Sequence, residues 1–144
     1  MKHFVMNDKC AAGTGRFLEM MAGVLQMPLD EMSKRGLTSK EKITISSMCT
    51  VFAESEVVSL IAQNKNTDDI IYALGQSVAS KTMSLLRRAK GEPGYMMTGG
   101  VSRNRSVVSA IENALGEPLF ITGQSQLCGA LGAALFALEK YELS

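Results

Sequence analysis

Apolar residues recur at intervals of three and four along most of the chain, which is the spacing of amphipathic helices. The longest such run follows Thr67-Asp68-Asp69, a strong helix start, and stops before Gly91 and Pro93, which end helices. We therefore predict one long helix over this run. Its buried face carries Ile71, Leu74, Val78, Thr82, Leu85 and Ala89.

The same spacing predicts shorter helices on both sides of the long one. The first begins near Thr14 and runs to a break at Pro28, and the others cover residues 30–35, 51–64, 103–115 and 126–141. Residues 37–48 have the composition of a connecting loop. We expect the first helix to bury Leu18, Met21 and Leu25, and the helix over 51–64 to bury Val57, Leu60 and Ile61.

Three short runs, at residues 3–6, 95–98 and 119–122, are predicted to be strands. The second and third are each followed by a turn and a predicted helix. Strands that alternate with helices are typical of a partly parallel α/β sheet. The hydrophobic pattern therefore predicts an α/β fold that is rich in helix.

Composition narrows the class of protein. The chain has 144 residues, the size of one domain, and its fifteen basic and fourteen acidic residues leave a net charge of +1 with no basic run. We therefore expect no nucleic-acid partner. The apolar stretch 127–138 is too short to span a membrane, residues 1–6 form no signal peptide, and an odd number of cysteines suits a reducing compartment. We expect a cytoplasmic protein with no membrane partner.

Two pairs of glycines occur at positions where their presence suggests a structural or functional role. Gly99 and Gly100 follow a predicted strand and open a predicted helix, where free backbone N–H groups and missing Cβ atoms let a nucleotide approach. An ordinary tight turn fits this short motif equally well, so both interpretations stay open. Gly129 and Gly132 lie inside the last predicted helix, where each costs about 1 kcal/mol relative to alanine. Close packing against a sheet or a ligand would justify that cost.

Cys10 and Cys49 each precede a predicted helix and lie among small residues. A helix N-terminus stabilises a thiolate, so both positions suit a reactive thiol or an anionic iron–sulfur cluster. Two cysteines fill half of the four positions of a typical cluster, so the cluster hypothesis requires a second chain. Each cysteine by itself also fits a small buried apolar residue, which is what we expect for Cys128 in its apolar helix.

Three segments together resemble one family, the ATP-dependent activators of 2-hydroxyacyl-CoA dehydratases. These are grouped with the ATPase subunits of benzoyl-CoA reductase as the BadF/BadG/BcrA/BcrD type. The segments are NDKCAAGTGRF at 7–17, CTVFAESE at 49–56 and TGGVSRN at 98–104, with GALGAAL at 129–135 behind the last. Both cysteine segments stand in the order of the family, with the glycine turn downstream. The likeness covers nearly the whole chain.

The resemblance implies the C-terminal half of an actin-like ATPase fold, shared by acetate and sugar kinases, heat-shock ATPases and actin. This half is α/β, helix-rich, with a small mixed sheet. Residues 1–144 would form a single partial domain, in which 28–92 are a mostly helical insertion. The phosphate loops of such a fold are not recognised in the sequence. We therefore expect a missing N-terminal half as a partner, and ATP hydrolysis by this chain alone is left open.

The resemblance also implies an electron-transfer role in anaerobic metabolism. Activators are homodimers that hold one 4Fe-4S cluster between two subunits, and Cys10 and Cys49 would be the ligands from each subunit. ATP binding and hydrolysis would then drive a low-potential electron into a 2-hydroxyacyl-CoA dehydratase. Mg and ATP or ADP would bind weakly or incompletely, with ribose contacts from Glu54 or Glu56. The implied cofactor-binding residues are Gly13, Thr14, Gly15, Glu54, Glu56, Gly99, Gly100, Val101 and Asn104.

Two alternatives belong to different functional classes. The chain also fits a truncated nucleotide-binding or partner-binding module of the same fold, without cluster or ATPase activity. A sugar-kinase or acetate-kinase relative should show a substrate-binding acid and phosphate loops, and neither is recognised in the sequence. Iron and sulfide analysis of anaerobically purified protein separates the first alternative from the activator.

Overall fold

Helices make up most of the structure, a computed structural model that describes residues 3–6, 14–45 and 50–142. The helices predicted from the hydrophobic spacing are confirmed, with ends that differ by a few residues, as is usual where helices fray. They are α1 (Thr14–Val24), α2 (Leu29–Lys34), α3 (Thr50–Ala62), α4 (Thr67–Ala89), α5 (Arg105–Leu115) and α6 (Cys128–Glu142). Short 3-10 turns precede α5 (Gly100–Arg103) and α6 (Ser125–Leu127).

The long helix α4 is the centre of the fold. Its N-cap is Asn66, whose side chain accepts a hydrogen bond from the backbone N–H of Asp68 at 2.8 Å. Acidic residues in its first turn and basic residues in its last turn complement the helix dipole. The helix ends at Lys90, which has left-handed backbone angles. Ile71, Leu74 and Val78 on the predicted face are all buried.

Side chains from α1 to α5 share one hydrophobic core. α5 crosses α4 closely, because a Cβ on Gly75 would lie only 3.0 Å from Ser106 Oγ. α1 packs against α3, and α2 packs against α5. Dense packing of this kind fixes the relative positions of the helices. The largest fully buried side chains are Met21, Met32, Val57, Ile70, Ile71, Leu74 and Val107.

The buried face of α3 agrees in part with the predicted one. Ala53 and Val57 are completely buried, Leu60 is half-buried, and Ile61 is exposed. Ala53 and Val57 are four residues apart and so lie on the same side of the helix. Ile61, four residues after Val57 and next to the last residue of α3, is not covered in the same way, so the prediction that it is buried is wrong.

The predicted strands are not formed in the described part of the chain. Met96 and Phe120 form an isolated parallel bridge, in which Met97 N donates to Phe120 O at 3.0 Å and Phe120 N donates to Tyr95 O at 2.9 Å. Residues 3–6 are assigned to no strand, and Phe4 and Met6 are exposed. A strand needs a repeated ladder of such bonds, and one bridge does not provide it. The small mixed sheet is therefore unconfirmed, although residues 95–98 and 119–122 do run side by side.

The last helix, α6, has no buried residue. Nothing lies within 4 Å of the positions that Cβ atoms would occupy on Gly129 and Gly132. The expected close packing of these glycines against a sheet or ligand is therefore not found among the described residues. Five large apolar side chains of this helix are exposed, namely Leu131, Leu135, Phe136, Leu138 and Tyr141. None of the described helices is both long and apolar enough to span a membrane.

Candidate functional site

The glycine turn before α5 has a backbone that only glycine adopts readily. Gly99 has φ 90° and ψ 176°. Its N–H donates to the carbonyl of Ser125 at 2.8 Å, and its carbonyl accepts from Ser102 Oγ at 2.7 Å. The hydroxyls of Ser102 and Ser125 are 2.6 Å apart and buried. The turn is therefore held in place by the segment that precedes α6.

Replacing Gly99 by alanine is expected to lower the free energy of unfolding by about 1–3 kcal/mol, because the required backbone angles are strained for any residue with a Cβ. Gly100→Ala is the matched control. A Cβ there would have Gln126 Nε2 at 3.6 Å, an ordinary contact, so a loss below about 1 kcal/mol is expected. Urea denaturation measures both. Equal losses would show that the conformation of Gly99 does not matter for stability.

Asn104 lies at the start of α5 and is only 6% exposed. Its Oδ1 accepts a hydrogen bond from Val107 N at 3.0 Å, which caps the helix. Its Nδ2 is buried and has no hydrogen-bond partner among the residues that the structure describes. Buried polar atoms are nearly always paired, and an unpaired one costs about 1–3 kcal/mol. A hydrogen-bond acceptor supplied from outside the described residues would remove this cost.

An open cavity of about 460 Å³ lies beside the glycine turn. This volume is within the range of small-molecule sites. Gly15, Gly100, Val101 and Asn104, all predicted site residues, line it. Residues that the sequence analysis did not name as site residues complete the lining, and they are Leu18, Glu19, Leu29, Asp30, Ser33, Arg103 and Gln126. Among these, Arg103 stands inside the TGGVSRN motif, which is the one sequence signal that pointed to it.

Polar contacts hold the wall of the cavity that α2 contributes. Arg35, just after α2, donates from Nε to Asp68 Oδ1 at 2.6 Å and from Nη1 to Glu31 Oε1 at 3.2 Å. The hydrogen bond to Asp68 raises the pKa of Arg35. A raised pKa of a basic group adds stability that is lost only above its unfolded pKa, so this link to α4 is insensitive to pH near neutrality. On α2, Ser33 Oγ donates to the Asp30 carbonyl at 2.8 Å.

The structure separates other predicted site residues from this cavity. Thr14 lines a second, apolar cavity of about 300 Å³, which Val101 also lines. Gly99 supports the turn but does not line the cavity of 460 Å³. Glu54 and Glu56 lie half-buried on α3 and line neither cavity. Their role as ribose contacts stays a prediction.

The predicted metal ligands Cys10 and Cys49 lie outside the described residues, as does Gly13. Within the described residues, no group of three or more His, Cys, Asp or Glu side chains is arranged to hold a metal ion. Cys128 is the first residue of α6. Its side chain is half-buried, whereas the sequence analysis expected it to be fully buried. Its Sγ lies 3.9 Å from Thr122 Oγ1 and 3.7 Å from the Gln124 carbonyl oxygen.

Comparison with known proteins identifies the family to which this chain belongs. The model of the BadF/BadG/BcrA/BcrD ATPase family matches residues 1–137. The chain therefore belongs to this ATPase family, as the three sequence segments predicted.

Individual relatives within the family are dehydratase activators. The chain is 45% identical over 140 residues to the (R)-2-hydroxyglutaryl-CoA dehydratase activating ATPase of Acidaminococcus fermentans. This match covers 97% of this chain and 54% of the relative. It is 48% identical over 139 residues to the activator of lactoyl-CoA dehydratase of Anaerotignum propionicum. This match covers 96% of this chain and 54% of the relative. The chain thus spans about half the length of these curated relatives.

Two solved structures share the fold. Component A of the Acidaminococcus fermentans (R)-2-hydroxyglutaryl-CoA dehydratase superposes with a TM-score of 0.85 at 45% identity, over 93% of this chain and 52% of that one. A second structure is the activator of the 2-hydroxyisocaproyl-CoA dehydratase from Clostridium difficile, solved with bound ADPNP. It gives a TM-score of 0.86 at 41% identity, and the match covers 96% of this chain and 52% of that one. The described helices are therefore arranged as in about half of an activator.

Proposed function

We propose that this chain is the nucleotide-binding portion of an activator that delivers an ATP-driven, low-potential electron to a 2-hydroxyacyl-CoA dehydratase. The observation that carries the proposal is the buried Nδ2 of Asn104, which has no hydrogen-bond partner within the described ranges. It lies at the start of α5, beside a cavity of nucleotide size. Relatives named as dehydratase activators, at 42–48% identity, support the choice of partner.

Within this site, each element of the turn has a distinct task. Gly99 shapes the turn, Gly100 leaves room for a ligand near the backbone, and Asn104 donates a hydrogen bond to it. Arg103 supplies positive charge to the cavity, and its Nη1 also donates to Gln126 Oε1 at 3.2 Å. ATP or ADP is the ligand we propose, since a relative of this fold was solved with ADPNP. The ribose contacts of Glu54 and Glu56 stay part of the proposal as a prediction, although neither residue lines the cavity.

The proposal includes the fold implied by the resemblance. The chain would be the C-terminal half of an actin-like ATPase, one partial domain with residues 28–92 as a helical insertion and a small mixed sheet. The parallel bridge between Met96 and Phe120 supports the position of two of its strands. The remaining half of the fold would supply the groups that hold the γ-phosphate and Mg²⁺.

Cys10 and Cys49 would be the ligands that each chain of a homodimer gives to one 4Fe-4S cluster. Thiolates are the ligands that such clusters use, and two from each chain make the required four. The helices that follow the two cysteine segments, α1 and α3, pack against each other, which favours a site common to both segments. When bound, the cluster supplies a one-electron redox centre.

Replacing Asn104 by serine tests the nucleotide site. Serine keeps an N-cap oxygen but removes the amide donor, so we expect stability to change little and ADP and ADPNP affinity to fall about five- to tenfold. Isothermal titration calorimetry measures the affinities, and urea denaturation checks the fold. Asn104→Ala, the control, removes cap and donor and should lower both stability and affinity. Unchanged ADP affinity in the serine variant would contradict the proposed site.

A further inference from the structure

Two buried serines join the glycine turn to the segment that precedes α6. Ser102 Oγ donates to the Gly99 carbonyl at 2.7 Å, and Ser125 Oγ lies 2.6 Å from Ser102 Oγ. A serine hydroxyl has one hydrogen to donate, and Ser102 uses it on Gly99. Ser125 is therefore the donor between the two hydroxyls. We call Ser102 and Ser125 the serine pair.

A backbone hydrogen bond closes the serine pair into a ring. Gly99 N donates to the Ser125 carbonyl at 2.8 Å, so each of the two segments both donates to the other and accepts from it. Ser102 and Ser125 are buried, which keeps water from competing for these bonds. Connected hydrogen bonds in such surroundings also polarise and strengthen one another. The ring therefore fixes the glycine turn relative to the segment that precedes α6.

The serine pair stands directly beside the cavity of 460 Å³. Arg103 follows Ser102 and Gln126 follows Ser125 in the chain, and Arg103 and Gln126 both line the cavity. Arg103 Nη1 donates to Gln126 Oε1 at 3.2 Å, and a Cβ on Gly100 would lie 3.6 Å from Gln126 Nε2. This wall of the cavity thus consists of two segments that the serine pair joins across 23 positions of the sequence.

We propose that Ser102 and Ser125 are positioning residues of the nucleotide site. Neither serine lines the cavity, so the two act through the groups that do. Asn104 belongs to the same turn, since its N–H donates to the Val101 carbonyl at 2.9 Å. A fixed turn holds Asn104 and the backbone of Gly100 ready for the ligand, so less conformational freedom is lost on binding. The inference rests on the proposed function, because it takes a nucleotide to be the ligand of this cavity.

A purely stabilising role is the competing explanation for the serine pair. Any buried hydroxyl that forms a hydrogen bond contributes to stability, so a loss of stability alone does not distinguish the two roles. Ser106 on α5 provides the matched control. It is also buried, and its Oγ donates to the Gly36 carbonyl at 3.4 Å, but it lines neither of the two cavities described above. A positioning role predicts that nucleotide affinity depends on the serine pair and not on Ser106.

The test compares Ser102→Ala, Ser125→Ala and Ser106→Ala with the unaltered protein. Isothermal titration calorimetry with ADP should show affinity lowered about three- to tenfold in the Ser102 and Ser125 variants, and unchanged within about twofold in Ser106→Ala. The thermal midpoint should fall by about 3–8 °C in all three variants, because each loses a buried, hydrogen-bonded hydroxyl. Ser125→Thr keeps the hydroxyl and should retain the ADP affinity of the unaltered protein.

Hydrogen exchange of the Gly99 amide tests the serine pair without nucleotide. This amide donates to the Ser125 carbonyl and is protected only while the turn and the segment before α6 stay together. We expect its exchange to be at least about tenfold faster in Ser125→Ala, measured relative to the amides of α4. In Ser106→Ala the same ratio should stay within about threefold of that in the unaltered protein.

The outcomes keep this inference apart from the proposed function. ADP affinity that is unchanged in Ser102→Ala and Ser125→Ala would overturn the inference and leave the nucleotide site in place. Affinity that falls equally in Ser106→Ala would also overturn it, because the loss would then follow stability. If the unaltered protein does not bind ADP, the proposed function is contradicted, and exchange of the Gly99 amide decides the role of the serine pair. Faster exchange in Ser125→Ala would then support the positioning of the turn, and unchanged exchange would overturn it.

Discussion

Anaerobically purified protein with Cys10 replaced by serine is expected to contain no iron–sulfur cluster, whereas the unaltered protein should hold about one four-iron cluster per dimer. The reason is ligand chemistry, since a hydroxyl is a poor substitute for a thiolate as a ligand of such clusters. Iron and sulfide content, together with the brown absorbance of the cluster, measures the result. Cys49→Ser should have the same effect, because both cysteines are proposed ligands.

Cys128 provides the control for this experiment. It is a half-buried free cysteine at the start of α6, and its sulfur contacts Thr122 and the Gln124 carbonyl. Cys128→Ser should therefore retain the cluster. Loss of iron to the same extent in the Cys10 and Cys128 variants would reject the ligand assignment. Cluster loss in the Cys10 and Cys49 variants alone would support it.

Replacing Gly36 by alanine is expected to lower the free energy of unfolding by about 2–5 kcal/mol, the sum of left-handed backbone strain and overpacking. Gly36 has φ 65°, and a Cβ there would lie 2.6 Å from Tyr72 N and 2.7 Å from Ile71 Cγ2. Both contacts are with the buried central helix α4, which cannot move away without disturbing the core. Urea denaturation at equilibrium measures the change.

Gly23→Ala on α1 is the matched control for this substitution. Nothing lies within 4 Å of its Cβ position, and alanine favours helix over glycine, so a gain of up to about 1 kcal/mol is expected. Opposite signs for the two substitutions would support the close approach of residue 36 to α4. If Gly36→Ala were as stable as the unaltered protein, the segment after α2 would have to relax easily, and the position of the α2 wall of the cavity would be less fixed than described.

Local signals in the sequence determined the helices. The spacing of apolar residues and the start and stop signals act within a few turns of the chain. α4 could therefore be predicted almost in full, from its start at Thr67-Asp68-Asp69 to its end before Gly91. The family could also be predicted, because its motifs are continuous stretches of sequence. The glycine turn and Asn104 belong to such a stretch, and the structure places Gly100 and Asn104 at the cavity.

Tertiary packing decided which residues of a helix are buried and how strands pair, which hydrophobic periodicity does not determine. A periodic pattern shows that a helix has an apolar face, but the neighbouring elements decide how much of that face is covered. In α3, Ala53 and Val57 are buried, and Ile61 near the end of the helix is exposed. Strand propensity at 95–98 and 119–122 could not show that the pairing would be a single bridge, because a ladder depends on neighbouring strands.

The cavity was the least predictable feature from sequence. Asp30 and Ser33 come from α2, Glu19 from α1 and Gln126 from the turn before α6, and these segments meet only when the helices pack. Single polar residues far apart in the chain carry no local signal of such a meeting. The sequence by itself therefore determined the helices, the glycine turn and the family, because those depend on neighbours along the chain. The folded structure decided the lining of the cavity, the burial of Asn104 and the exposure of the apolar side chains of α6, because these depend on neighbours in space.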